Sequence, residues 1–233
     1  MAVVPGAFEA WTSRGETLLG PRPEDLHLLL GILGGSIVGK WAAALGLASI
    51  RQRWAWWSLL AGLLVWFLLD SEVSAAHGAW FNLWMANLWP LLLVGGALAL
   101  HPRGGQGPPP RWTPLAWACL VNAVGGLVMA VGINTPLFQV WTSRVLANPD
   151  WLGLLFGPIG ATICAHFVML VPAARRGHDR LVVLTVLAWF VVDSARTVAE
   201  GAWFNLLLIN LPCLVMVGGA ALWTRYRLFR DQS

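Results

Sequence analysis

The chain has 233 residues, of which 58% are hydrophobic and only 11% charged, and its mean hydropathy is +0.66. A soluble domain carries about 25% charged residues, so this composition excludes an ordinary water-soluble globule and points to a bilayer as the solvent. The net charge of +4, from 14 arginines and one lysine against 11 acidic residues, is accounted for by membrane topology and excludes a concentrated nucleic-acid-binding surface.

The first 25 residues hold Glu9, Glu16, Glu24 and Asp25 and lack a long apolar core, so no cleavable signal peptide is expected there. Seven apolar runs of about 20 residues then follow, at roughly 26–50, 54–76, 80–100, 113–133, 151–172, 181–199 and 203–224. The expectation is an all-α membrane protein with seven transmembrane helices. Ten arginines fall on one side of that threading (Arg51, Arg53, Arg103, Arg111, Arg175, Arg176, Arg180, Arg225, Arg227 and Arg230) and three on the other (Arg14, Arg22 and Arg144). Positive loops stay in the cytoplasm, so the N-terminus is expected outside and the C-terminus in the cytoplasm of a multi-pass protein of the cell membrane, a bacterial inner membrane being the natural setting.

In the first run Gly31, Gly35 and Gly39 stand four apart, a doubled small-residue motif that permits close helix packing. Lys40 follows, the single lysine of the chain. Near mid-membrane such a group must pair, shift its pKa or snorkel to the boundary, or else line a cavity. In the second run Trp66, Asp70, Ser74 and His77 are spaced by four, four and three residues, which holds them within about 80° of arc on one helix face. An ionisable group at such depth is a functional-site candidate by default; the alternative is an aspartate that only locks the bundle through hydrogen bonds. The third run brings Asn82, Asn87 and Pro90. Amides there either bond a neighbouring helix or face a polar, uncharged ligand, and the proline is expected to bend the helix.

The fourth run, 113–133, has no copy elsewhere; the others do. Phe8-Glu-Ala-Trp-Thr-Ser-Arg14 recurs as Phe138-Gln-Val-Trp-Thr-Ser-Arg144, and Gly31-Ile-Leu-Gly-Gly-Ser-Ile-Val-Gly-Lys-Trp41 as Gly157-Pro-Ile-Gly-Ala-Thr-Ile-Cys-Ala-His-Phe167. Trp66-Phe-Leu-Leu-Asp-Ser71 returns as Trp189-Phe-Val-Val-Asp-Ser194, and Gly78-Ala-Trp-Phe-Asn82 as Gly201-Ala-Trp-Phe-Asn205. The offset drifts from 130 to 126 to 123. The repeat divides the chain into residues 8–100, a linker with the fourth helix at 101–137, and residues 138–230. Three helices plus one linker helix return the chain to its starting side, so the two units are expected to be parallel, related by an axis along the membrane normal.

The repeat pairs Lys40 with His166, Trp66 with Trp189, Asp70 with Asp193, His77 with Glu200, Asn82 with Asn205 and Asn87 with Asn210. Arg196 stands where Val73 does and is in reach of an ion pair with Asp193 or Glu200. Most of the 16 tryptophans suit the membrane boundary, Trp11, Trp54, Trp112, Trp141 and Trp223 among them. Trp66 and Trp189 lie deeper, on the faces of the aspartates, where a ring can stack on a ligand. Cys119, Cys164 and Cys213 match neither a disulfide framework nor a zinc site and read as small apolar core residues.

This 3+1+3 plan with parallel repeats, an outside N-terminus and about 230 residues resembles the SWEET sugar transporters, their half-size SemiSWEET relatives and the PnuC-type vitamin transporters. In SWEETs a tryptophan pair from helices two and six and an asparagine pair from helices three and seven form the substrate site, positions held here by Trp66 with Trp189 and Asn82 with Asn205. The chain lacks the Pro-Gln motif of that family, so the resemblance implies the transport plan rather than the sugar. Together these features favour a facilitator or proton-coupled transporter for a small polar metabolite. Substrate would be bound by Trp66, Trp189, Asn82, Asn205, Asp70 and Asp193, and Lys40, His166, His77, Glu200, Asn87 and Asn210 would serve coupling or line the cavity. The alternative is a membrane-embedded enzyme acting on a lipid or isoprenoid, with the carboxylates and histidines as acid and base, or a membrane sensor or assembly factor. No catalytic set, metal site or cofactor is expected: HExxH and HxxxH are absent, the seventh run has no lysine for a retinal Schiff base, and no symmetric histidine pair suits haem. The expected partners are the lipid bilayer and a small polar solute, with self-association into a homo-oligomer left open.

Overall fold

The computed structural model describes residues 23–50, 52–76, 87–100, 108–132, 150–199 and 206–230, and these form seven α-helices and no strand. In chain order they are α1 (Pro23–Ala48), α2 (Arg53–Ala76), α3 (Trp89–Leu100), α4 (Pro114–Gly132), α5 (Asp150–Ala174), α6 (Asp179–Ala199) and α7 (Leu211–Arg230). Three of them contain segments long and apolar enough to cross a membrane: Arg53–Ser71, Pro114–Val131 and Gly157–Ala174. The segments 8–14 and 138–144 lie outside the described residues.

The helices form where the apolar runs are uninterrupted, and the punctuation is local. Thr113 caps α4, its Oγ1 accepting from the Ala116 amide at 3.1 Å, and Pro114 takes the first helical position, where its missing N–H costs nothing. At the end of α5 the chain reverses through Gly177, whose φ of +76° is readily reached only without a Cβ. The amides of Gly177 and His178 then close onto the Ala174 and Ala173 carbonyls at 3.2 and 3.0 Å. The Arg111 amide donates to the Arg175 carbonyl at 2.7 Å, tying the approach to α4 to the end of α5. Hydroxyls inside the apolar helices bond back along their own helix: Ser58 to the Trp54 carbonyl at 2.8 Å, Thr162 to Pro158 at 2.7 Å and Thr224 to Ala220 at 2.8 Å. That keeps a polar group satisfied without a neighbour.

Short π-helical turns precede α3 and α7. Asn87 and Leu88 form the first and Leu206–Asn210 the second, with Pro90 and Pro212 just beyond. A proline cannot donate to the carbonyl four residues back, so the turn before it widens. A widened turn that carries an asparagine thus stands just before each proline.

The most extensive packing is α4 on α5, α2 on α5, α1 on α6 and α1 on α5. Small residues set each crossing. A Cβ built on Gly126 of α4 would lie 2.5 Å from the Cys164 backbone nitrogen and 2.9 Å from the Gly160 carbonyl oxygen; one on Gly160 of α5 would lie 2.5 Å from the Ala130 nitrogen. Backbone meets backbone there. In α1, Gly35 abuts the Cβ of Asp193 and Gly39 the Cβ of Trp189 and the ring of His166, so the glycine stripe of the first helix serves contact with α6. Gly62 of α2 packs on Met169 and the Ala165 carbonyl of α5.

The surface is apolar as well as the core, unlike that of a soluble protein. Leu45, Leu68, Val128, Leu184, Val215 and Leu222 stand exposed, while Lys40, Asp70, Asn87, His166, Asp193 and Asn210 are buried. With no water in a bilayer core, polar groups are satisfied inside and apolar ones face out. An all-helical chain of this kind fits a membrane protein. Cys119, Cys164 and Cys213 are unpaired and buried, as small core residues should be.

Candidate functional site

The aspartates define the site. Asp70 of α2 and Asp193 of α6 are 3% and 0% exposed, and each is met by an asparagine from the turn that leads into the next helix. Asn87 Nδ2 donates to Asp70 Oδ2 at 2.7 Å and to Ser71 Oγ at 3.3 Å. Asn210 Nδ2 donates to Asp193 Oδ2 and, at 3.2 Å, to Ser194 Oγ. The same three residue types, 123 positions apart, therefore make the same two bonds. Each amide spends its N–H donors on its own aspartate and serine.

One turn before each aspartate lies a tryptophan. Trp66 and Trp189 are 6% and 2% exposed. The Lys40 ammonium sits 2.9 Å from the centroid of the Trp66 ring, with Trp41 at 5.2 Å, a cation–π arrangement. Lys40 is 0% exposed, so it does not snorkel. His166 meets Trp189 edge to face at 6.5 Å, stacks on Phe167 at 5.0 Å, and its Nε2 lies 3.5 Å from Thr185 Oγ1. The first helix of each half thus offers a nitrogen-bearing side chain to the tryptophan of the second helix. Gly39, next to Lys40 in sequence, touches the His166 ring and brings the two arrangements side by side.

Among the described residues, several buried polar atoms of this cluster lack a hydrogen-bond partner: the Lys40 ammonium, the Trp189 indole N–H, and the amide oxygens of Asn87 and Asn210. Buried polar groups are nearly always paired with protein, water or ligand. Two unfilled donor groups and two unfilled acceptors accordingly flank the aspartates.

Of the residues predicted from sequence, the structure brings together Lys40, Trp66, Asp70 and Asn87, and likewise His166, Trp189, Asp193 and Asn210. His77, Asn82, Glu200 and Asn205 lie outside the described residues, as do the side chains of Ser74 and Arg196. Sequence reasoning did not single out Ser71 and Ser194 as asparagine partners, although the Asp-Ser dipeptide recurs in the repeat. Their role depends on where α3 and α7 begin.

A second feature lies at the arginine-rich loop end. A cleft of about 490 Å³ is lined by Ser49, His178, Asp179, Arg180 and Arg225, among others. Arg176 lies 4.7 Å from the Trp54 ring centroid and Arg175 4.4 Å from that of Trp112, while the His178 ring centroid is 5.2 Å from that of Trp54. Trp112 is exposed as expected of a boundary residue, but Trp54 is buried, because Arg176 and His178 cover it. Burial, and next the Arg176 charge, lowers the His178 pKa below its ordinary 6.5, against the opposing charge of Asp179. The folded state then binds fewer protons than the unfolded state below that value, so stability falls as pH drops through 6.5. Thermal unfolding followed between pH 7.5 and pH 5 is expected to show that fall, and His178→Gln to reduce it.

No family model matches the chain, and neither does any curated protein or solved structure.

Proposed function

We propose that this chain is a membrane transporter, a facilitator or a proton-coupled carrier, for a small polar metabolite. In this reading all seven helices span the membrane with the N-terminus outside and the C-terminus in the cytoplasm. Helices α1–α3 and α5–α7 form two parallel pseudo-symmetric units joined by α4. The solute lies between the units, stacked by Trp66 and Trp189, held by Asp70 and Asp193 or exchanging protons with them, with Asn82 and Asn205 contributing hydrogen bonds as the SWEET-like plan implies.

The observation that carries the proposal is the pair of matched Asp–Asn clusters. Burying two carboxylates in an otherwise apolar bundle costs a few kcal/mol each. A purely structural lock would satisfy every polar atom it buries, whereas here the amide oxygens of Asn87 and Asn210 and the indole N–H of Trp189 have no partner among the described residues. Such a surplus of hydrogen-bonding capacity suits a polar solute that visits and leaves. Reciprocal packing of α1 on α6 and α2 on α5 supports the two-unit arrangement, since exchanging the units exchanges those two contacts.

The test is thermal stabilisation of the purified protein by a panel of metabolites at two pH values, alongside the Asp70→Asn/Asp193→Asn double variant. Binding of a small polar solute that the double variant loses, with matching flux into proteoliposomes, is the expected result. Stabilisation by lipids or isoprenoids alone would reject transport in favour of a membrane enzyme or assembly factor.

A further inference from the structure

Lys40 has a location that the repeat does not explain, because its counterpart is a histidine. It is the only lysine of the chain and is 0% exposed. Its ammonium lies on the Trp66 face and has no hydrogen-bond partner among the described residues. An ammonium carries three N–H donors. An aromatic face attracts its charge but supplies no lone pair in the plane of a carboxylate, so the donors remain unspent. Asp70 of the same half, whose charge acts on Lys40, also accepts from the Asn87 amide.

The acceptors left over are of the opposite kind. The Asn87 and Asn210 amide oxygens call for N–H or O–H donors on the ligand. Lys40 and Asp70 together carry a formal charge of zero. A solute with only an anionic group would leave that half negative, and one with only a cationic group would place a like charge beside Lys40, which is unfavourable in a medium of low dielectric. A solute carrying one group of each sign leaves the balance unchanged, as an uncharged one does, but it alone meets the unspent donors and acceptors with charge-assisted bonds on both sides, the stronger kind.

We propose that the solute is amphoteric, of the amino-acid class: its carboxylate is received by the Lys40 ammonium over Trp66, and its ammonium donates to the Asn87 amide oxygen beside Asp70. This rests on the transporter reading and names the substrate class of the same site. Lys40 then plays two parts. Without solute its ammonium rests on the Trp66 ring, and with solute it turns to the carboxylate and frees the ring edge for the side chain. The histidine in the other half makes the two units unequal, so the carboxylate has one preferred end.

Three matched sets of probes test this by thermal stabilisation at one pH: the common L-amino acids, the primary amines that lack their carboxyl groups, and the carboxylic acids that lack their amino groups. The expected result is that at least one amino acid raises the unfolding temperature of the wild-type protein while its matched amine and acid do not. Lys40→Met should abolish the shift, and Lys40→Arg should retain part of it. Stabilisation by amines alone, by acids alone or by uncharged solutes such as sugars overturns the amphoteric assignment and leaves the transporter reading standing. So does an amino-acid shift that survives in Lys40→Met. If no solute of any class shifts the wild-type protein or crosses a proteoliposome membrane, both fail. The comparison among charge classes needs only the wild-type chain, so it decides the matter even where a Lys40 variant does not fold.

Discussion

Replacing Gly126 by leucine is expected to abolish recovery of folded protein, and replacing it by alanine to lower stability sharply, whereas Gly125→Ala one position earlier should be neutral or stabilising. The contrast comes from the atoms that each new Cβ would meet. At Gly126 it lies 2.5 Å from the Cys164 nitrogen and 2.9 Å from both the Cys164 Cα and the Gly160 carbonyl oxygen; at Gly125 nothing is within 4 Å. Overpacking a core costs about 1–3 kcal/mol where side chains can turn aside. Backbone atoms of a facing helix cannot, so the α4–α5 crossing must open along its length and give up the close packing on which helix association in a bilayer depends. Gly160→Ala should fail in the same way, because its Cβ would meet the Ala130 nitrogen at 2.5 Å and the Gly126 carbonyl oxygen at 2.8 Å. Gly125→Ala removes a flexible residue from an exposed helix face, a gain of up to about 1 kcal/mol in helix propensity. Size-exclusion profiles in mild detergent and unfolding titrations of the variants measure this directly; equal behaviour of Gly125→Ala and Gly126→Ala would reject the crossing.

Seven helices were legible in the sequence because each is a continuous apolar run, and the described helices begin and end within a few residues of those runs wherever both ends are described. The exception is α7, which continues to Arg230, past the run that ends near 224. Lipid-scale hydropathy cannot register a helix that continues on polar residues. The crossing at Gly126 and Gly160 was not legible. The fourth helix has no copy, so the repeat offered no partner to compare, and Gly160 hides among other small residues of α5. The burial of Lys40, Asp70, His166 and Asp193 followed from their depth in apolar runs. Their partners did not. Asp70 to Asn87 and Asp193 to Asn210 are both 17 residues, and this constant interval was present in the sequence, but across a helix end and a π turn an interval does not fix a contact. The Trp66-to-Asn82 and Trp189-to-Asn205 interval is the more conspicuous one, because it carries the transporter resemblance. Lys40 was open to snorkelling, pairing or a cavity; its burial against Trp66, 26 residues away on a different helix, speaks against the first alone.

Two observations taken together constrain how the bundle can move. The contacts of α1 with α6 and of α2 with α5 join one half to the other, and at Gly35 and Gly39 they approach within contact of Asp193 and Trp189 themselves. In the proposed transport cycle, a rearrangement that admits a solute to the aspartates would slide or part the glycine-lined faces of α1 and α6. The Asp–Asn bonds lie within a half, between α2 and the start of α3 and between α6 and the start of α7, and can persist while the halves shift. In that cycle the hydrogen-bonded pairs would be the fixed parts and the glycine-lined contact the part that changes.

If the hydrogen-bonded pairs are the rigid parts, removing their amides should cost stability. Asn87→Leu and Asn210→Leu each leave a buried aspartate short of a charge-assisted donor, and hydrogen bonds to charged groups contribute about 1.5–3 kcal/mol. Each variant should lose stability on that scale, with Asp193→Asn losing less, since an amide at that position still accepts from its partner, and Asp70→Asn losing at least as much, since it leaves the buried Lys40 charge without its opposite. If the two pairs are equivalent, their costs should agree within about 0.5 kcal/mol and add in the double variant, as separate sites do. Unfolding titrations of the four single variants and the Asn87→Leu/Asn210→Leu double variant provide the numbers. A loss below the measurement scatter for either asparagine would remove that pair from the scaffold. Unequal losses would have a specific meaning, because the halves differ at Lys40 and His166. Asp70 has the Lys40 charge in its own half and retains that favourable interaction after its amide is gone. Lys40→Met should therefore raise the cost of Asn87→Leu and leave that of Asn210→Leu unchanged.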